Sequence, residues 1–285
     1  MDDLWTRTHQ VSAAALASGA LQPIATECLT LRENGIPFAI RILGSLADKE
    51  RARERLARAG RQDVDPFLPP DPALLVSEAG PAHLCVLNKY YVIEHHLLLV
   101  TRAYEPQRRV LNAADFAALA TCLADGPAMA FYNSGPEAGA SQAHKHLQLL
   151  PRGDAMTLPF EPLLTRAATR GSPTAPEMAF AHRLVALPDG LLARPAQAAG
   201  WLHRCYRELL EAQHLVVATD GSVTHPYNLL LTESWLMLVP RRRERTGTVS
   251  INALGFAGAL LVKSREQAEA LRREGLMRAL VSVAG

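Results

Sequence analysis

Residues 133–151 read NSGPEAGASQAHKHLQLLP, a glycine-punctuated turn running into an alternating stretch. On an extended strand alternate side chains share a face. That puts His144, His146 and Gln148 on one side and Lys145, Leu147 and Leu149 on the other. Just upstream, Gly135 and Gly139 permit tight backbone turns, and the small Ala140 and Ser141 leave backbone N–H groups open to an approaching anion. From spacing alone three uses of such a strand stand side by side. The histidines can be satisfied in a core, can supply two ligands to a metal as in a metal-dependent oxygenase, or can act on a phosphate.

Working outward, PFAIRIL (37–43) predicts a strand, and LADKERARERLARAG (46–60) predicts a helix with a solvated charged face, ending at Gly60. DPFLPPDP (65–72) is a rigid, turn-rich segment. It leads into two strands, about 83–88 and 96–101; on the second, His95 and His96 would face opposite sides and so form no simple metal pair. Asn112 is placed to cap a helix starting near Ala113, with Asp115 three residues on and Phe116, Leu119 and Leu123 buried. Further on, residues 195–215 predict an amphipathic helix opened by Pro195, and 228–240 predict a hairpin turning at Glu233 and Ser234. Residues 264–283 predict one more amphipathic helix, and residues 241–243, three arginines, read as a solvated charge run.

Seven of the 19 prolines fall between 151 and 195, which marks a joint. The expected organisation is an N-terminal half (1–165) carrying the HxHxQ motif, a proline-rich connection (166–195) and a C-terminal half (196–285) completing the same fold. Strands and helices mix without steady alternation, so the expected class is α+β, a largely antiparallel sheet flanked by helices.

Composition bounds the function. With 48% hydrophobic and 20% charged residues over 285 positions, the chain is neither disordered nor a coiled coil and can bury a real core. No window approaches the ~18 uninterrupted apolar residues of a membrane span, and the opening MDDLWTRTHQ lacks the basic-then-apolar order of an export signal. Net charge is +2, so no nucleic-acid partner is demanded. Cys28, Cys85, Cys122 and Cys205 form no CxxC pair and read as buried thiols of a cytoplasmic protein.

The whole string around the histidines resembles the transferase branch of the histidine-triad superfamily, the diadenosine tetraphosphate phosphorylases or ATP adenylyltransferases. The match runs through Asn133, Gly135, residues 138–142 and His144 to Gln148. It extends to GIPFAIR (35–41), Lys49, PFLP (66–69), LNK before HHLLLVTR (87–102), PYNLLLT (226–232), the W-LVPR box (235–241) and NALGFAGALLVK (252–263). The resemblance implies a histidine-triad-like fold and a nucleotidyltransferase in which His146 attacks the α-phosphorus of the dinucleotide. Phosphate then takes up the adenylyl group to give ADP.

A neutral imidazole, with a reference pKa near about 6.5, suits that role. Its other nitrogen should donate to a backbone carbonyl, with His144 supporting the geometry. Gln148 stands where the hydrolase branch has a third histidine; an amide donates a hydrogen bond to phosphate without serving as an acid. By the same match Lys49, Lys89 and Lys263 are the cations, and Asn88, Asn133, Gly139, Ala140, Ser141, Gln142, Ser250, Ile251 and Asn252 contact substrate. Mg2+ or another divalent cation would travel with the polyphosphate, with no tightly held protein metal. The expected partners are diadenosine tetraphosphate, ATP, ADP and phosphate, not nucleic acid or membrane. The alternatives carried forward are a hydrolase of the same superfamily and a His-x-His metal protein.

Overall fold

The computed structural model describes residues 3–44, 65–153, 156 and 158–285. The helix expected over 46–60, and Lys49 within it, lie outside the described residues.

An eight-stranded sheet organises the molecule. Its strands are β3 (Leu75–Ala79), β4 (His83–Leu87), β5 (Leu97–Thr101), β6 (Ala128–Asn133), β7 (His146–Pro151), β8 (Arg183–Ala186), β9 (Tyr227–Leu231) and β10 (Trp235–Pro240). They lie in the order β3-β4-β5-β7-β6-β9-β10-β8, and every pairing is antiparallel. A second sheet joins β1 (Thr26–Glu33) to β2 (Ile36–Leu43), with β13 (Ala259–Val262) parallel to β2. The short pair β11 (Arg245–Thr246) and β12 (Val249–Ser250) stands apart.

Period-two alternation decides what covers each face. Leu97, Leu99, Leu147 and Leu149 pack with α1 (Leu4–Ala17), α2 (Ala113–Leu123) and α4 (Pro195–Ala212) through Leu4, Phe116, Leu119, Leu202 and Tyr206. On the opposite face Met129, Phe131 and Leu150 pack with Phe38 and Ile40 of β2 and with Phe160 and Phe256. This second layer does not extend across β4, β5 and the start of β7, where Val86, Leu98 and Val100 meet Phe67 instead. The cleft forms there. The fold is α+β and largely antiparallel, as the mixed pattern predicts.

α2 begins as the residues dictate. Asn112 Oδ1 accepts from the backbone of Ala114 and Asp115, and the Asp115 carboxylate accepts from Asn112 N, a reciprocal capping box. The hairpin over 228–240 is β9 and β10, with Leu231 opposite Leu236. The proline-dense stretch 151–195 contains α3 (Glu161–Thr169), with Pro162 in its first turn, and β8, one of the two edge strands of the large sheet.

Four expectations are corrected. The helix expected over 264–283 is two, α5 (Arg265–Glu274) and α6 (Leu276–Val283), because Gly275 at φ 97° breaks the backbone between them. His95 and His96 precede β5 instead of lying on it: His95 sits at φ 58° in the turn, its ring 3.9 Å from that of His9. Cys28 is exposed while the other three thiols are buried, since it lies on β1, an edge of the small sheet. Arg241, expected in a solvated run, is 1% exposed, because its guanidinium donates to backbone carbonyls gathered around it.

Candidate active site

His146 opens β7, opposite Val100 of β5, and is buried against the Phe67 ring 5.3 Å away. Its Nδ1 lies 2.8 Å from the His144 carbonyl oxygen. A carbonyl only accepts, so Nδ1 carries the hydrogen, which in the neutral ring leaves the lone pair to Nε2. Gln148 follows on the same face, at the cleft.

His144 is buried beside His146. Thr101 Oγ1 donates to Ala103 O at 2.8 Å, so it meets His144 Nε2, also at 2.8 Å, through a lone pair. Asp65 Oδ2 lies 2.7 Å from His144 Nδ1. Both nitrogens thus face acceptors, and the ring cannot turn without losing one.

Between β6 and β7 the chain makes a tight glycine loop. Gly135 has φ 101° and Gly139 φ 90°, on either side of a 3₁₀ turn over Pro136–Ala138. A Cβ on Gly139 would lie 2.9 Å from Cα and Cβ of Asn252 and from Ile251 O, so only glycine lets the loop press against residues 251–252. The Ala140 N–H, expected to be open, is donated to Gly135 O at 3.1 Å, which tightens the loop.

The loop is pinned from inside by a polar chain. Asn133 Oδ1 accepts from Asn228 Nδ2 at 2.7 Å and from Ala253 N at 3.0 Å. Asn228 Nδ2 also reaches Ala138 O at 2.8 Å, and Arg241 Nη1 reaches Asn228 Oδ1 at 2.7 Å and Ala138 O at 3.2 Å. The rest of the guanidinium serves the carbonyls of Arg243, Glu244 and Val283. This is why Arg241 is inside: its fixed fork of donors matches carbonyls that the surrounding turns leave over. Burial pulls its pKa down to about 10, so it stays charged at neutral pH.

Two adjoining clefts result. The larger, about 420 Å³, is lined by His146, Gln148, Asn88, Lys89, Ser141 and Gln142 against an apolar wall that includes Phe67, Val86 and Leu98. The smaller, about 160 Å³, is lined by Gly139, Ser141, Ser250, Ile251, Asn252 and Lys263. Ser141 belongs to both. Of the residues singled out in the sequence, Asn133, Ala140 and His144 line neither cleft, and Lys49 lies outside the described residues. Sequence reasoning missed Asp65, Thr101 and Gln107, which touch the histidines from 79, 43 and 39 residues away; Asp65 and Gln107 lie in loops and Thr101 ends β5, and no local pattern marks contacts at that separation.

Behind β7, Lys145 is fully buried with its Nζ 2.5 Å from Asp115 and 3.2 Å from Glu105. His83 Nε2 donates to Asp115 from 2.8 Å. Burial pushes the Asp115 carboxyl up, but the His83 hydrogen bond and the Lys145 charge outweigh it and hold the group below its ordinary value.

Among the described residues no three His, Cys, Asp or Glu side chains converge as a metal site, and no helix is long and apolar enough to cross a membrane.

Comparison with known proteins fits this geometry. The family model of the Ap4A phosphorylase N-terminal domain matches residues 1–166, and that of the ATP adenylyltransferase C-terminal domain matches residues 176–285. Diadenosine 5',5'''-P1,P4-tetraphosphate phosphorylase 2 of Saccharomyces cerevisiae is 29% identical, across 96% of this chain and 91% of its own. The crystal structure of yeast Ap4A phosphorylase Apa2 in complex with AMP superposes with a TM-score of 0.78 at 28% identity, covering 99% of this chain and 96% of that one. The same enzyme in complex with Ap4A gives 0.77 at 26% identity, covering 100% and 98%. With both halves matched in order and His146 and Gln148 lining the cleft, this chain belongs to the Ap4A phosphorylase (ATP adenylyltransferase) family of nucleotidyltransferases.

Proposed function

We propose that this protein is a diadenosine tetraphosphate phosphorylase, converting the dinucleotide and phosphate reversibly into ATP and ADP through an adenylyl group carried on His146. The observation that carries the reading is the His146 ring itself, which lines the cleft and is held by its Nδ1 hydrogen bond, so that in the neutral ring the lone pair belongs to Nε2.

The Nε2 lone pair attacks the α-phosphorus, the phosphorus–oxygen bond to the remaining chain breaks, and ATP leaves. An oxygen of inorganic phosphate then attacks the same phosphorus, the phosphorus–nitrogen bond breaks, and ADP is released with the ring returned to its starting form. As the ring becomes cationic in the first step, the His144 carbonyl stabilises the Nδ1–H. Gln148 donates from its amide to a non-bridging oxygen, and having no titrating proton it offers water no acid catalyst, which suits an intermediate that waits for phosphate.

Lys89 and Lys263, on the two clefts, and Lys49 meet the phosphate charges. Asn88, Gln142, Ser141, Gly139, Ser250, Ile251 and Asn252 hold the substrate, while Asn133 and His144 act from behind by fixing the glycine loop and the nucleophile. Residues 1–165 and 196–285 both supply the site, with 166–195 joining them. A divalent cation enters with the polyphosphate, and the protein acts on cytoplasmic nucleotides, with no nucleic-acid or membrane partner. The His-x-His metal reading is disfavoured because both His144 nitrogens are engaged by Asp65 and Thr101.

The test incubates the protein with diadenosine tetraphosphate and magnesium, with and without phosphate, and resolves the nucleotides. ATP plus ADP formed only with phosphate, and lost in a folded His146→Ala variant, is the expected result. ATP plus AMP without phosphate would mean a hydrolase instead.

A further inference from the structure

The sheet has an opening beside the nucleophile. β6 and β7 pair from Ala128 opposite Pro151 to Phe131 opposite Gln148, and two more rungs of that register would set Asn133 opposite His146. The pairing stops short, and a side-chain amide occupies the place. Gln107 Oε1 accepts from the His146 N–H at 2.8 Å, while Gln107 Nε2 donates to Asn133 O at 2.8 Å and to His146 O at 3.1 Å.

A carboxamide carries the donors and acceptor of a peptide unit, so Gln107 replaces the missing rung across a wider gap. Its own backbone is tied down: its N–H donates to Ala143 O at 2.7 Å, and its carbonyl accepts from the Tyr132 hydroxyl. Gln107 is buried and lines neither cleft, so it does not touch substrate.

We propose that Gln107 is the positioning residue of the nucleophile. It holds β6 and β7 apart where the glycine loop must leave the sheet, and it fixes the His146 backbone so that Nδ1 meets the His144 carbonyl and Nε2 stays at the cleft. Asn133, which anchors the glycine loop, shares the same amide, so one side chain sets the distance between nucleophile and phosphate cradle. The catalytic part of this inference rests on the phosphorylase reading above.

The experiment compares wild type with Gln107→Met, which keeps length and loses every polar contact, and Gln107→Glu, which keeps the acceptor for the His146 N–H and loses the donors. Four quantities are read: the single-turnover rate of adenylyl-enzyme formation, the KM for the dinucleotide, the melting temperature, and the ¹⁵N resonances of the His146 ring without ligand. In Gln107→Met the adenylylation rate is expected to fall about 10- to 100-fold with KM unchanged, the effect of a small misplacement of a reacting group. The Nδ1–H signature of His146 is expected to shift or broaden. Gln107→Glu falls between.

Wild-type adenylylation in Gln107→Met, or a loss that follows only the unfolded fraction while the His146 resonances stay put, overturns the proposal. If Gln107→Met does not fold, Gln107→Glu is judged by the same criteria. If the wild type forms no adenylyl-enzyme, the phosphorylase reading fails, and the ring resonances still decide whether Gln107 positions His146.

Discussion

Replacing Asp115 by Asn is expected to cost about 3–5 kcal/mol, because it leaves a buried ammonium short of its closest counter-charge. Asp115 is fully buried; its Oδ2 accepts from Lys145 Nζ at 2.5 Å and from Asn112 N at 2.7 Å, and its Oδ1 accepts from His83 at 2.8 Å. Asn has the same shape, so packing is untouched and only the negative charge and one acceptor go. Lys145 keeps Glu105 at 3.2 Å, but that carboxylate is 29% exposed and screened by water.

For a chain of this size the loss corresponds to a fall in melting temperature of roughly 6–10 °C, taking about 2 °C per kcal/mol. Calorimetry and urea unfolding measure it. Lys145→Met should destabilise as well, and the Asp115→Asn/Lys145→Met double variant should lie well above the sum, since neither charge is then stranded.

The pH dependence has a definite sign. The Asp115 carboxyl is held low in the folded state, so its contribution is present above the unfolded value of about 3.9 and is lost as pH falls below it. The gap between wild type and Asp115→Asn is therefore constant at neutral pH and closes in acid. An Asp115→Asn variant within about 1 kcal/mol of wild type, or a strictly additive double variant, would refute the view that this pair anchors β7 from behind.

Two further outcomes follow from the same geometry. Gly139→Ala meets backbone of residues 251–252 and should weaken AMP binding in calorimetric titration, whereas Gly80→Ala, at φ 70° with open space around it, should lower stability by about 1–2 kcal/mol of backbone strain and leave binding intact; equal effects on binding would defeat the argument. His182 is held neutral: burial lowers its pKa, with Nδ1 donating to Phe180 O at 2.8 Å and Nε2 accepting from Ala175 N at 2.9 Å. Its contribution is present above about pH 6.5 and declines as pH falls below it, so His182→Gln should flatten part of the unfolding-stability slope on that side; an unchanged slope would count against it.

Much of the candidate site's local geometry was legible because its signals are local. The alternation of His144, His146 and Gln148, the glycines before them and the Asn112 cap depend on neighbours two to four residues away, and such rules act wherever the chain is placed. Readings failed where burial at long range overrides composition. Arg241 looks like one of three surface arginines until the carbonyls of residues 138, 243, 244 and 283 gather around it. His95 leaves its expected strand in a left-handed turn, and Gly275 divides a helix whose amphipathic pattern runs on through it.

The amino-acid sequence by itself determined the chemistry on offer: an imidazole and an amide two positions apart on one strand face, after a loop only glycine can turn. Tertiary structure alone decided which nitrogen of His146 is tied to a carbonyl and what holds the residue in place. The His146 ring meets a carbonyl, its backbone a carboxamide, and the neighbouring His144 ring a carboxylate and a hydroxyl, three of these supplied by Asp65, Thr101 and Gln107 from distant segments. Hydrogen bonds specify angle and distance only between groups already brought together, and bringing them together is the work of the apolar layers on the two faces of the sheet.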